Sequence, residues 1–199
     1  MNIKPQTIIF VGRSGSGKGT QIDLLKKYLE TQDKDIKIKE IVMGNIFRNF
    51  FNGDSFVQKM AKEATMEKGQ FQPDFLTNAL FINEAVMQAE EEAILFFDGF
   101  PRSLDQLNII KQFLTYIKRD KPIVINIDVS RKSVKERMLL RQRADDKDKA
   151  IDKRLDEFDR LTTPMIEEIK RDSFFRYLEI DGEGTIDEIH YNFIKELNI

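Results

Sequence analysis

Residues Thr7–Thr20 read TIIFVGRSGSGKGT, and the helical pattern Ile22-Asp23-Leu24-Leu25 follows at once. The run Thr7–Val11 ends in glycine and has the length and apolar character of a buried strand. A strand, a glycine loop and a helix in that order form a cradle for phosphate. Without a Cβ in the way, successive backbone N–H groups converge on an anion, and the helix N-terminus adds partial positive charge. Lys18 supplies a cation long enough to reach the outer phosphates. One letter departs from the usual phosphate loop: Gly19 follows Lys18 where Ser or Thr is expected, and the hydroxyl arrives at Thr20. Gly15, Ser16, Gly17, Lys18, Gly19 and Thr20 are therefore the expected contacts of a nucleoside triphosphate. A flexible turn carrying a solvated lysine would not need the flanking strand and helix.

Four more short apolar runs follow: Ile36–Val42, Ala93–Phe97, Ile123–Val129 and Tyr177–Ile180. Between and after them lie helical patterns at Phe75–Met87, Leu104–Ile117, Val134–Leu140 and Ile186–Leu197. Strands separated by helical crossovers predict an α/β three-layer fold of the P-loop type, with a five-stranded parallel sheet and helices on both faces. At 199 residues the chain suits one domain with insertions. Two stretches exceed a plain alternation. One is a Phe-rich, mostly helical insertion at about 43–73, whose Phe47, Phe50, Phe51, Phe56 and Phe71 read as packing residues. The other is a charged interruption between two helices at about 142–153, holding Asp145-Asp146-Lys147-Asp148-Lys149. Insertions beyond the carboxyl ends of parallel strands are placed to cover a ligand.

Composition narrows the chemistry. A net charge of −2 argues against a general nucleic-acid or membrane-surface binder, so any anion site must gather its cations locally. The chain has no cysteine, which removes disulfides, thiolate catalysis and a cysteine-held structural zinc. Its one histidine, His190, falls in the last helical pattern and reads as a surface or packing residue. The first apolar run is too short for a signal-peptide core, and nothing approaches a membrane span, so a cytoplasmic protein is expected.

Asp98-Gly99-Phe100-Pro101-Arg102 follows directly on the run Ala93–Phe97. A carboxylate closing a central strand beside a phosphate loop is where Mg²⁺ is held through water. An arginine on the turn beyond can fork onto a phosphate. Arg137 and Arg141 share one helical face, and Arg143 and Arg154 flank the acidic segment. Such a row suits an anionic ligand, although Asp145, Asp146 and Asp148 could also neutralise it.

Taken together, these motifs resemble adenylate kinase and its nucleoside-monophosphate-kinase relatives from the first strand to the last helix. GRSGSGKGTQ is similar to that family's phosphate loop, and DGFPR at Asp98–Arg102 to its most specific signature. The resemblance implies a role for each remaining residue. Met43, Gly44, Arg48, Gly99, Arg102 and Gln106 fall at AMP-binding positions, with Arg48 on the phosphate and Gln106 on the adenine. Arg137 would lie against the ATP base. Lys18, Arg102, Arg141, Arg143 and Arg154 form the catalytic set around the transferring group. Asp98, through water, and Thr20 would hold the Mg²⁺ that comes with ATP.

The activity implied is reversible phosphoryl transfer from Mg·ATP to AMP, giving two ADP. Two departures bear on it. Val42-Met43 replaces the family's Ser-Thr, and Met43 cannot offer the base a hydroxyl; this keeps a UMP, CMP or other monophosphate kinase open, with Gln106 favouring AMP. A catalytically inactive nucleotide-binding regulator would show a gap in the charged set, and none is missing. Only Gln142 separates Arg141 from Arg143, so the lid is nearly absent. A lid that short implies either leakage of ATP to water or cover from a neighbouring subunit in a homo-oligomer.

Overall fold

The strands β1 (Thr7–Val11), β2 (Ile38–Val42), β3 (Ile94–Asp98), β4 (Ile123–Asp128) and β5 (Arg176–Asp181) form one sheet in the order β2-β3-β1-β4-β5. Every pairing in it is parallel. The computed structural model describes residues 6–66, 69–141 and 148–198. Helices fill the connections: α1 (Lys18–Gln32), α2 (Met43–Phe50), α3 (Phe56–Met66), α4 (Asp74–Gln88), α5 (Leu104–Tyr116), α6 (Arg131–Arg141), α7 (Asp148–Glu157), α8 (Thr163–Arg171) and α9 (Ile186–Leu197). A π-helical turn, Phe158–Thr162, joins α7 to α8.

β1 lies at the centre because it is buried on both faces, which is why its sequence does not alternate. Ile9, Leu95 and Phe97 point into one layer with Phe81 and Phe113. Ile8, Phe10 and Phe96 point into the other with Leu25 and Phe193. Phe10 meets Phe96 edge-on at 5.3 Å and stacks on Phe193 at 6.1 Å, so α9 is clamped to the middle of the sheet. Register pairs Phe10 with Asp98. The glycine loop after β1 and the Asp98 turn after β3 therefore open at the same edge.

Two expectations change. The charged interruption gives way to helix from Asp148 onward, and Ile151 and Leu155 of α7 are fully buried in the second layer. Only two large apolar residues, four apart among Asp, Lys and Arg, mark that helix in sequence. In the insertion, Phe47 and Phe51 stack at 5.7 Å over a small separate cluster with Ala61 and Leu76. Phe56 does not pack as expected: it is 77% exposed at the start of α3.

α9 opens with a full capping box. Thr185 Oγ1 accepts from the Glu188 N–H at 3.3 Å, and Glu188 accepts from the Thr185 N–H at 2.9 Å. Replacing Thr185 with Ala should cost about 1 kcal/mol. Tm should fall by roughly 2–4 °C for a domain of this size. Thermal unfolding followed by circular dichroism reads this directly, and an unchanged Tm would mean that the cap adds nothing.

Candidate active site

The turn from β1 into α1 depends on glycine at three positions, two of them by close contact as well and the third, Gly17, by its φ of +93° alone. Gly12 has φ of +142° and Gly15 φ of +87°. A Cβ at Gly12 would sit 2.6 Å from the Ile127 carbonyl, and one at Gly15 would sit 2.8 Å from Met138 Cγ and 2.9 Å from the Val134 carbonyl. Those clashes are with backbone and a buried side chain, so no larger residue fits. Gly17 caps α1 without a side-chain bond, and nothing lies within 4 Å of a Cβ built on Gly17 or Gly19. The first amides of α1 thus border open space, where an anion is favoured. Ser16 Oγ is buried with no hydrogen-bond partner among the described residues. A buried hydroxyl left in that state costs about 1–3 kcal/mol, which a bound acceptor would recover.

Lys18 folds back over this loop, its Nζ donating to the carbonyls of Gly12 at 2.8 Å and Arg13 at 3.0 Å. The loop is tied in turn to the π-helical turn after α7. Arg13 donates to Asp159 Oδ1 at 2.8 Å and lies 5.0 Å from the centre of the Phe158 ring. Asp159 also accepts from Arg131 at 3.0 Å, and Arg131 donates to Asp156 at 2.6 Å. This network went unread in sequence, although Arg13 is a charged residue set among the glycines.

Asp98 closes β3, and the chain turns through Gly99, at φ +80°, and a cis Phe100–Pro101 bond to Arg102. Arg102 Nε donates to the Gly99 carbonyl at 2.9 Å, and the guanidinium lies 4.9 Å from the centre of the Phe71 ring. Burial lowers the pKa of Arg102; the Asp98 charge opposes that shift and the Arg154 charge adds to it. Thr162 in the π-helical turn donates to the Arg102 carbonyl at 2.9 Å. Gly12, Ser14, Lys18, Phe71, Arg102 and Arg154 line one cavity at this edge. Phe71, read in sequence as a packing residue, packs against the first apolar layer and also forms a wall of that cavity over Arg102.

Not every expected residue is gathered there. Arg154 is, from α7, at 8% exposure. Arg48 stands exposed on α2, hydrogen-bonded to Asn45 Oδ1, with its guanidinium beside Gly44. Met43 is 3% exposed and packed into the first apolar layer. Arg137 donates to the Gly182 carbonyl at 2.9 Å, in the turn after β5. Gln106 is 4% exposed on α5; its Oε1 accepts from the Arg102 N–H at 2.7 Å and its Nε2 donates to Asp74 Oδ1 at 2.6 Å. Arg141 ends α6; its side chain, and the whole of Arg143, lie outside the described residues.

The donors present fit a magnesium ion that arrives on a nucleotide. Among the described residues no group of three or more His, Cys, Asp or Glu could cage a metal. Asp98 at the strand end and the exposed Thr20 are the kind of sparse oxygen set that Mg²⁺ uses when phosphates and water complete its shell. No helix among the described residues is long and apolar enough to cross a membrane.

Comparison with known proteins agrees with this geometry. The family model described as Adenylate kinase matches residues 10–174. The chain is 30% identical over 183 residues to the adenylate kinase of Oenococcus oeni, covering 91% of this chain and 93% of that protein. It is 32% identical over 188 residues to the adenylate kinase of Flavobacterium johnsoniae, covering 92% and 93%. With that of Corynebacterium urealyticum it shares 32% identity over 182 residues, covering 92% and 93%. The glycine loop, the Asp98–Arg102 turn and Arg154 all fall within the matched span, and the chain belongs to the adenylate kinase family of phosphotransferase enzymes.

Proposed function

We propose that this chain transfers the terminal phosphoryl group of Mg·ATP reversibly to AMP, giving two ADP. The observation that carries the reading is the convergence of Lys18, Arg102 and Arg154, from three distant segments, on one cavity beside the glycine loop. Phosphoryl transfer asks the protein mainly for alignment and for charge where the equatorial oxygens become more negative. The attacking oxygen belongs to an ionised phosphate, so no general base is required, which suits a chain whose one histidine lies on α9.

In this reading the loop amides and Lys18 grip the outer phosphates of ATP. Arg102 and Arg48 hold the phosphate of AMP in line with them, and closure of α2 would be needed to bring Arg48 in. Arg154 stabilises the transferring group, joined by Arg141 and Arg143 on the strength of the family resemblance. Arg137, beside the turn after β5, is assigned to the ATP base. Met43, Gly44, Gly99 and Gln106 are assigned to the AMP pocket. Asp98, through water, and Thr20 would hold the Mg²⁺ that comes with ATP, which would neutralise part of the phosphate charge.

Arg102→Ala should lower kcat for ADP formation by at least roughly 10³-fold, by analogy with transition-state arginines. Its Tm should stay close to the parent value, because the side chain gives up one hydrogen bond to Gly99 and the face of Phe71 while its buried charge goes too. Near-normal turnover in a coupled ADP assay would remove Arg102 from the reaction. Gly15→Ala should abolish ATP binding measured by calorimetry, since its Cβ has no room on the α6 side. Retained affinity in that variant would mean that the loop does not cradle the phosphates.

A further inference from the structure

Asp74 opens α4, just after the insertion, and touches the N-cap of α5 and one residue of its first turn. Its Oδ2 accepts from Ser103 Oγ at 2.8 Å, and its Oδ1 accepts from Gln106 Nε2 at 2.6 Å. Ser103 Oγ, capping α5, also accepts from the Gln106 N–H at 3.2 Å. On the other side of the amide, Gln106 Oε1 accepts from the Arg102 N–H at 2.7 Å.

This arrangement fixes which way the amide faces. A glutamine amide has two N–H donors and two acceptor lone pairs, a carboxylate only accepts, and a backbone N–H only donates. Turning the amide over would set Oε1 against the Asp74 carboxylate and Nε2 against the Arg102 N–H. Both contacts would become repulsive at a residue only 4% exposed. The bonds in place use one donor and one acceptor. One N–H and one lone pair of the amide remain, in an order the network dictates.

From this we infer that Asp74 is a positioning residue that sets the nucleobase preference of the monophosphate pocket by locking the Gln106 amide. The inference rests on the proposed reading in which Gln106 meets the base of AMP. A locked amide suits a base edge that offers an amino donor beside a ring-nitrogen acceptor, as adenine does. It opposes an edge offering a keto acceptor beside an N–H, as guanine does. An amide free to turn over would accept both. The lock therefore gives discrimination that Met43, with no hydroxyl to offer, does not.

The test compares Asp74→Asn, Gln106→Leu and Ser103→Ala with the parent enzyme. Calorimetry reads Kd for AMP and for GMP, steady-state rates read KM for ATP, and thermal unfolding reads Tm. The side-chain amide introduced by D74N can turn to face either end of Gln106, so this variant should lower the preference for AMP over GMP at least tenfold. Its KM for ATP should stay within twofold. Ser103→Ala, which releases one Asp74 oxygen, should shift the preference the same way by a smaller factor; it also serves if D74N fails to fold. A purely structural tie between α4 and α5 would lower Tm in these variants with the base preference intact, and that outcome overturns the inference. If Gln106→Leu erases the preference while D74N and S103A leave it whole, the lock is wrong and the Gln106 reading stands. If Gln106→Leu also leaves the preference whole, the reading of Gln106 itself fails and the lock falls with it.

Discussion

Three cations, Lys18, Arg102 and Arg154, border one cavity, and like charges so placed repel one another unless an anion sits between them. At Arg102 burial lowers the pKa most, the Asp98 charge opposes that shift, and the Arg154 charge adds a smaller lowering. Much of the surrounding structure can be understood as what keeps the cluster from spreading apart.

Each cation is anchored by the element that carries it. Lys18 sits on the first turn of α1, and its Nζ is held by carbonyls of its own loop. Arg102 is fixed through Nε to Gly99, through its carbonyl to Thr162, and by the Phe71 ring against its face. Arg154 rides on α7, which Ile151 and Leu155 bury in the core. The Arg13–Asp159 ion pair locks the glycine loop to the turn after α7, and Arg131 ties the start of α6 to the same carboxylate, so two of the three cation-bearing segments share a brace. Asp159 is 41% exposed, and an isolated pair at that exposure contributes little. The value of the brace lies in joining the loop to the turn.

The sheet was legible because its signals are local. All five strands fall on apolar runs named from sequence, and the glycine loop announced itself by spacing alone. The bounds of α9 coincide with its periodic pattern, helped by a capping box at Thr185–Glu188. α7 was hidden because its charged residues outnumber the two large apolar ones that bury it. Phe56 shows a different limit: aromatic character does not say whether a ring meets the core or water, and Phe71 meets both the core and a guanidinium. Asp74 was invisible for a related reason, since its partners lie 29 and 32 residues away and nothing in its neighbourhood marks it. The cluster itself was legible in part: Lys18, Arg102 and Arg154 come together as expected, while Arg48 stands apart on α2.

Phosphorus NMR of the purified protein mixed with Mg²⁺ and ADP alone tests the central claim most directly. A site that holds two nucleotides with their phosphate tails between Lys18, Arg102 and Arg154 should turn ADP into ATP and AMP in equal amounts until equilibrium is reached. ADP that stays unchanged, or decays to AMP and inorganic phosphate without ATP, would contradict the account.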